Sequence, residues 1–175
     1  MFYSGKMYSD QIDAALTNAV CSEKILDGSL LVLGDLAADL TYDAAGKEYD
    51  VYVGRKFATD DKEVVIVDYA GISEGTIMGN DYKMGIKLYD LEVPANRVTR
   101  VRRLHLHDKF WLSANNFAAT PVAGKYGIPA NGSYLHAISN TLPEAGYAIK
   151  ILIVDDLTTG AKANGKKALC EVVQL

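Results

Sequence analysis

The chain has 175 residues, of which 49% are apolar and 23% are charged, and it carries a formal net charge of −4. This length suits one domain with an ordinary core, and the composition excludes a disordered chain, which would be poorer in apolar residues and more highly charged. No segment reaches the roughly 18 apolar residues that a membrane-spanning helix needs, so no membrane partner is expected. The N-terminal sequence has acidic residues and no apolar run of the signal-peptide kind, which predicts assembly in a cytoplasm-like compartment.

The N-terminal region carries the one helix signal. Apolar residues recur at helical spacing from Ile12 to Val20, and Ser9 precedes them as a possible cap. The residues from Met1 to Tyr8 are apolar and aromatic without a period, as in an arm that lies on a partner or folds back on its own domain. We therefore predict an arm and a short helix over residues 1–26.

After Asp27-Gly28 the pattern changes to short runs rich in β-branched and aromatic residues, separated by Gly and Asn. The predicted strands are 29–36, 47–56, 63–69, 84–91, 97–112, 147–155 and 168–175. Asn164-Gly165 predicts a hairpin turn, because Asn-Gly readily adopts the positive φ angles of a type I′ turn. The stretch from Pro121 to Pro143 holds three of the four prolines and predicts a long loop. These features predict a mainly β fold, an antiparallel β-sandwich or small β-barrel, formed by a single domain over residues 27–175.

One segment concentrates positive charge, and we call it the basic strip. It runs from Arg97 to Lys109 and contains five basic residues, Arg97, Arg100, Arg102, Arg103 and Lys109. Arginine pairs well with phosphate, but the acidic isoelectric point of about 5.3 disfavours a nucleic-acid partner. We instead expect ion pairs with carboxylates of this chain or of a neighbour. A slip in the apolar phase predicts a β-bulge near residues 100–103.

Few residues offer metal or thiol chemistry. His105 and His107 stand two apart on a predicted strand, so both rings would project from one face, as the first ligands of a barrel metal site can. Two ligands do not complete a site, and His136 falls in the predicted loop. Cys21 and Cys170 predict free buried thiols, although a disulfide between them is left open. No catalytic motif occurs, so we predict no enzyme, no metal and no cofactor.

The segments DGSLLVLGDL, AGKEYDVYVGRKF, EVVIVDYAGISEG, YKMGIKLYDLEVPA and VRRLHLHDKFWLSANNF resemble small structural proteins of tailed bacteriophages. Those proteins are found with the head components and decorate the capsid. The resemblance implies a virion protein without catalysis, assembled from soluble subunits in the host cytoplasm and bound in many copies to the capsid surface. The implied partners are the major capsid protein and other copies of this chain, with trimers as one form.

Candidate interface residues follow from the arm and the basic strip. We expect contacts with the capsid or with other subunits at Phe2, Tyr3, Tyr8, Arg97, Arg100, Arg102, Arg103, His105, His107 and Lys109. Two alternatives stay open. One is a head fibre or a receptor- or glycan-binding module that uses the stretch 121–143, and the other is a metal-binding small β-barrel enzyme that uses His105 and His107.

Overall fold

The computed structural model describes residues 2–4, 16–37, 50–68, 92–159 and 162–175. These residues form the strands β1 Phe2–Ser4, β2 Leu16–Val20, β3 Ile25–Leu26, β4 Leu30–Leu36, β5 Val51–Arg55, β6 Val65–Val67, β7 Glu92–Val93, β8 Val98–Arg103, β9 Lys109–Ser113, β10 Tyr126–Pro129, β11 His136–Ser139, β12 Ala148–Thr159 and β13 Lys162–Gln174. The 3-10 turn Ala114–Asn116 follows β9. The predicted mainly β fold is confirmed. The ranges described contain no helix long and apolar enough to cross a membrane.

Five strands close into a small barrel in the order β2, β5, β4, β6 and β8. The pairing of β2 with β5 is parallel, and the other pairings in the barrel are antiparallel. Alternate residues along a strand point to opposite faces, so each strand can direct one set of side chains inward. The barrel interior is filled by a buried cluster that includes Ala19, Leu31, Val65, Val67 and Val101.

Six further strands form an antiparallel sheet in the order β1, β9, β13, β12, β10 and β11, which we call the large sheet. One face of the large sheet is buried at its centre. Its side chains include Phe110, Leu112, Ile149, Ile151 and Cys170. These side chains cluster with Leu30 of β4 and Ile66 of β6, which come from the barrel. The second core of the protein therefore lies between the barrel and the large sheet.

The predicted N-terminal helix is not seen, and its second half is a strand. Residues 16–20 form β2, which pairs with β8 on one side and β5 on the other, while residues 5–15 lie outside the described part of the chain. The apolar residues Leu16, Ala19 and Val20 fit a helical stripe, but so short a stripe does not specify a helix. The two neighbouring strands provide hydrogen-bond partners for the backbone of β2, so strand pairing overrides the helical spacing of its apolar residues.

The basic strip is not one long strand. It folds as β8 and β9, joined by a turn over residues 105–108, and His107 has a φ of 70° there. The predicted bulge in residues 100–103 is also wrong, because β8 pairs with β2 and β6 without a register shift. The apolar phase slips for another reason: Val98 faces outward and is 40% exposed, whereas Val101 is buried inside the barrel.

Two loop predictions need correction. The stretch 121–143 contains the antiparallel pair of β10 and β11. The hairpin of β12 and β13 exists, but its strands extend to Thr159 and Lys162, so Asn164-Gly165 lies inside β13. There the register shifts by one residue, and Gly165 has a φ of 112°. The positive φ therefore belongs to a bulge and not to the turn. The predicted strand 84–91 falls outside the described residues.

Candidate interaction surface

The basic strip is distributed over separate parts of the molecule. Arg100 and Arg102 lie on the outer side of β8, whereas Arg103 and His105 lie at one end of the barrel. His107 and Lys109 approach the exposed face of the large sheet through Glu171. Arg97 is exposed just before β8 begins. The predicted interface residues of the strip therefore do not share one surface.

Arg100 and Arg102 both bind Asp68. The closest nitrogen–oxygen distances are 3.1 Å for Arg100 and 2.8 Å for Arg102. The side chains of Arg102 and Asp68 are only 7% and 13% exposed. The expected pairing of strip arginines with carboxylates of this chain is confirmed for these two residues. Because Arg102 is buried against its partner, it presents little surface to another molecule.

His105 and His107 lie in a turn and not on one strand face, which corrects the geometry expected of them. The buried Asp108 holds this turn by accepting a hydrogen bond of 2.8 Å from the backbone N–H of His105. His107 Nδ1 lies 3.1 Å from a carboxylate oxygen of Glu171. Among the residues described, no group of three or more His, Cys, Asp or Glu side chains could hold a metal ion.

The exposed face of the large sheet carries a row of apolar side chains. Leu169 of β13 lies opposite Trp111 of β9 on one side and opposite Ile153 of β12 on the other. Trp111 and Leu169 are half-buried, and Ile153 is 50% exposed. Their sequence neighbours Phe110, Ala168 and Cys170 are buried on the opposite face. The sheet is therefore apolar on both faces at its centre.

Charged side chains border this apolar row on both sides. On one side Glu171 lies between Lys109 and Lys150, with its carboxylate 3.7 Å from the Lys109 ammonium. On the other side Lys167 lies opposite Asp155, and its ammonium stands 4.6 Å from the centre of the Trp111 ring. We define the sheet face as Lys109, Trp111, Lys150, Ile153, Asp155, Lys167, Leu169 and Glu171. An apolar centre with a charged border is typical of protein–protein interfaces.

Strand β1 forms the edge of the large sheet beside this face. Its three residues pair with β9, which places Tyr3 opposite Trp111 and Phe2 opposite Leu112. Residues 2–4 of the arm thus fold back on their own domain, one of the two placements that the sequence allowed. Tyr8 lies outside the described residues.

A buried polar group lies beneath the large sheet. His136 is fully buried, with Nδ1 3.1 Å from the Asn116 carbonyl oxygen and Nε2 3.2 Å from the Tyr147 hydroxyl. Burial lowers the pKa of His136 to about 4, so its ring is neutral at pH 7. Sequence reasoning placed His136 in a loop and missed this group, because nothing in its local sequence signals burial.

The two cysteines are free and lie in different cores. Cys21 belongs to the barrel cluster and Cys170 to the cluster between the barrel and the large sheet. Burial raises the pKa of Cys21 to about 11, so its thiol stays protonated at neutral pH. The expected buried free thiols are confirmed.

Comparison of the chain with protein-family models, with curated proteins and with solved structures finds no significant match in any of the three.

Proposed function

We propose that this chain is a structural protein of a tailed-bacteriophage head that decorates or cements the capsid from its outer surface. Its role is to bind, and the major capsid protein is its partner. The observation that carries the proposal is the sheet face. The similarity of the sequence segments to head-associated phage proteins supplies the partner.

The sheet face has the composition of a docking surface. Trp111 supplies a large ring at its centre, and tryptophan is among the residues that contribute most to binding energy at interfaces. The lysines and carboxylates around it can orient a partner and exclude mismatched ones. A sheet buried on its other face is also rigid, so little conformational entropy is lost when a partner binds it.

Many copies on one shell would make a modest interface sufficient. A decoration protein that forms homo-oligomers, such as trimers, engages several shell subunits at once, and the second contact is then intramolecular. Stabilisation of the shell follows because each bound copy favours the assembled state over free subunits. This role needs a stable fold and an exposed face, and it needs no catalytic group.

Co-sedimentation with phage heads that lack this protein tests the proposal. We expect saturable binding at a fixed ratio to the shell subunit and a higher temperature of head disruption. The variant Ile153→Glu places a charge in the apolar row, at a side chain that is 50% exposed, and should weaken head binding at least tenfold. Leu142→Glu is the matched control, because Leu142 is 45% exposed and lies outside the sheet face.

Two results would reject the proposal. One is the absence of wild-type binding to heads, and the other is equal binding by Ile153→Glu and the wild type. Binding to host-cell glycans without binding to heads would favour the receptor-binding alternative. Metal bound to the purified protein, and lost on substitution of His105 and His107, would favour the enzyme alternative.

A further inference from the structure

A cleft of about 680 Å³ lies where one end of the barrel meets the large sheet. Strand β8 and the segment before β6 contribute Arg103, Lys62 and Val64, and the large sheet contributes Tyr147 and Leu175 at its border. The described residues that line the cleft include none of the sheet face. Its size is in the range of cavities that bind small molecules or a few side chains.

The cleft holds cations that have no partner in the described part of the chain. Arg103 is exposed at the end of β8, and neither Arg103 nor Lys62 forms an ion pair among the residues described. Arg100 and Arg102, three residues and one residue away in sequence, are both bound to Asp68. Asp68 is thus occupied by Arg100 and Arg102, and the exposed Arg103 is positioned to meet an external anion.

The side chains that line the cleft carry a net positive charge. Glu63 is the carboxylate among them, and it offsets one of the two cations. His105 also lines the cleft. An anion that enters therefore meets attraction from Arg103 and Lys62 that Glu63 only partly cancels.

Apolar side chains form the remaining wall. Leu104 and Tyr147 are buried to 6% and 4% exposure, and Val64 packs against the same core cluster. Leu175 is 54% exposed at the border of the cleft. A cationic edge beside an apolar wall matches a ligand that carries a carboxylate next to an apolar group. The planar guanidinium of Arg103 can bind a carboxylate through two parallel hydrogen bonds.

We infer that this cleft binds an acidic segment of the partner protein, with an Asp or Glu carboxylate on Arg103 and a neighbouring apolar side chain on the wall formed by Leu104 and Tyr147. The choice of partner rests on the proposed function, in which the partner is the shell subunit. A nucleic acid fits less well, because a phosphate backbone needs a track of several cations. The cleft has two unpaired cations and an apolar wall instead.

A synthetic peptide with the core Leu-Asp-Leu-Asp between Gly-Ser flanks tests the inference by fluorescence anisotropy. The matched peptide has Asn in place of each Asp. We expect the acidic peptide to bind the wild type at least tenfold more tightly than the Asn peptide. Arg103→Gln should weaken acidic-peptide binding about tenfold, since it removes the bidentate contact. Lys62→Gln should weaken it less, because an exposed ammonium contributes less than a guanidinium pair.

Arg97→Gln is the control with the same chemical change, as Arg97 is exposed on the same strip and outside the cleft. The affinity of the Arg97→Gln variant for the acidic peptide should equal that of the wild type. Circular dichroism and unfolding curves should be unchanged in Arg103→Gln and Lys62→Gln, because both replaced side chains are exposed.

Several outcomes would overturn the inference. They are no binding at millimolar peptide, equal affinity for the Asp and Asn peptides, unchanged affinity in Arg103→Gln, or tighter binding of a single-stranded oligonucleotide than of the acidic peptide. The test does not depend on heads. If heads bind but the peptide does not, only this inference fails. If the peptide binds but heads do not, the proposed function fails and the cleft remains an acidic-peptide site.

Discussion

The barrel and the large sheet differ in how their strands are paired. In the barrel each strand has two hydrogen-bonded neighbours, whereas the large sheet ends at β1 on one edge and at β11 on the other. The barrel encloses its own core, while the large sheet buries one face against the barrel and leaves the other exposed. Closure of the barrel gives the backbone groups of every strand hydrogen-bond partners on both sides, and it removes edges that could pair with other chains.

The barrel and the large sheet also differ in the exposure of the charged side chains compared next. On the barrel, Arg102 is buried against Asp68 and serves the fold. On the large sheet, Lys109 is 42% exposed and Lys150 is also exposed, both beside the apolar row. The pair of Arg102 and Asp68 on the barrel therefore stabilises the fold, whereas the two lysines of the large sheet lie at an exposed surface. Substitutions in the two regions test this difference.

The largest expected effect on stability is a difference between two adjacent residues of β9 that lie on opposite faces of the large sheet. Phe110 is fully buried between the barrel and the large sheet, and Phe110→Ala should lower the free energy of unfolding by about 4 kcal/mol. Its neighbour Trp111 is half-buried on the sheet face, so Trp111→Ala should cost far less stability and should instead weaken head binding. Urea unfolding and co-sedimentation of both variants measure these effects. Equal losses of stability would contradict the assignment of the two faces.

A smaller effect should distinguish buried from exposed ion pairs on the barrel. Asp68→Asn removes the carboxylate that pairs with the buried Arg102, and it should lower the free energy of unfolding by about 3 kcal/mol. The matched control is Asp61→Asn, since the partner of Asp61 is Arg55, whose side chain is 49% exposed. That control should cost much less, because water already solvates an exposed guanidinium. Urea unfolding of both variants is the measurement, and a larger loss in Asp61→Asn would be inconsistent with this account.

The smallest effect is a dependence of stability on pH that originates beneath the large sheet. The pKa of His136 is about 4 in the folded protein, below its ordinary value of 6.5. The unfolded state therefore binds the proton first as the pH falls. The stability from neutral His136 is complete above pH 6.5 and is lost as the pH approaches 4. The full difference corresponds to about 3 kcal/mol.

His136→Gln isolates this contribution, because glutamine keeps polar atoms near Asn116 and Tyr147 but does not titrate in this range. Urea unfolding at pH 7 and at pH 4.5 should show that the wild type loses about 2 to 3 kcal/mol more than the variant. An identical loss in both proteins would mean that His136 does not titrate with a lowered pKa.

Much of the β framework follows from local pattern. The strands β4, β5 and β6 lie inside the runs predicted over residues 29–36, 47–56 and 63–69. The hairpin of β12 and β13 was also expected, although its turn lies beyond Asn164-Gly165. Such runs are predictable because β-branched and alternating residues favour a pleated, half-buried surface wherever they fall.

The candidate surface was less predictable. Trp111, Leu169 and Ile153 are far apart in sequence and become neighbours only through the pairing of β9, β13 and β12. Buried and half-exposed side chains alternate at residues 109–112 and 167–171 in the structure, but Trp111 and Leu169 are apolar like their buried neighbours, so the residue types do not mark the exposed face. Alternation identifies the faces of a strand, but it does not identify which strands lie side by side.

Composition and short-range periodicity are sufficient to predict a mainly β protein with an apolar core, because both are properties of the local sequence. The sequence favoured free thiols at Cys21 and Cys170, and their placement in separate cores settled it. Tertiary structure decided that residues 16–20 form a barrel strand, that Arg102 is buried on Asp68 while Arg103 stays available, and that His136 is buried and neutral. Each of these outcomes depends on contacts between residues distant in the chain. The physical reason is that burial, desolvation and strand pairing are properties of neighbours in space, which local sequence only weakly restricts.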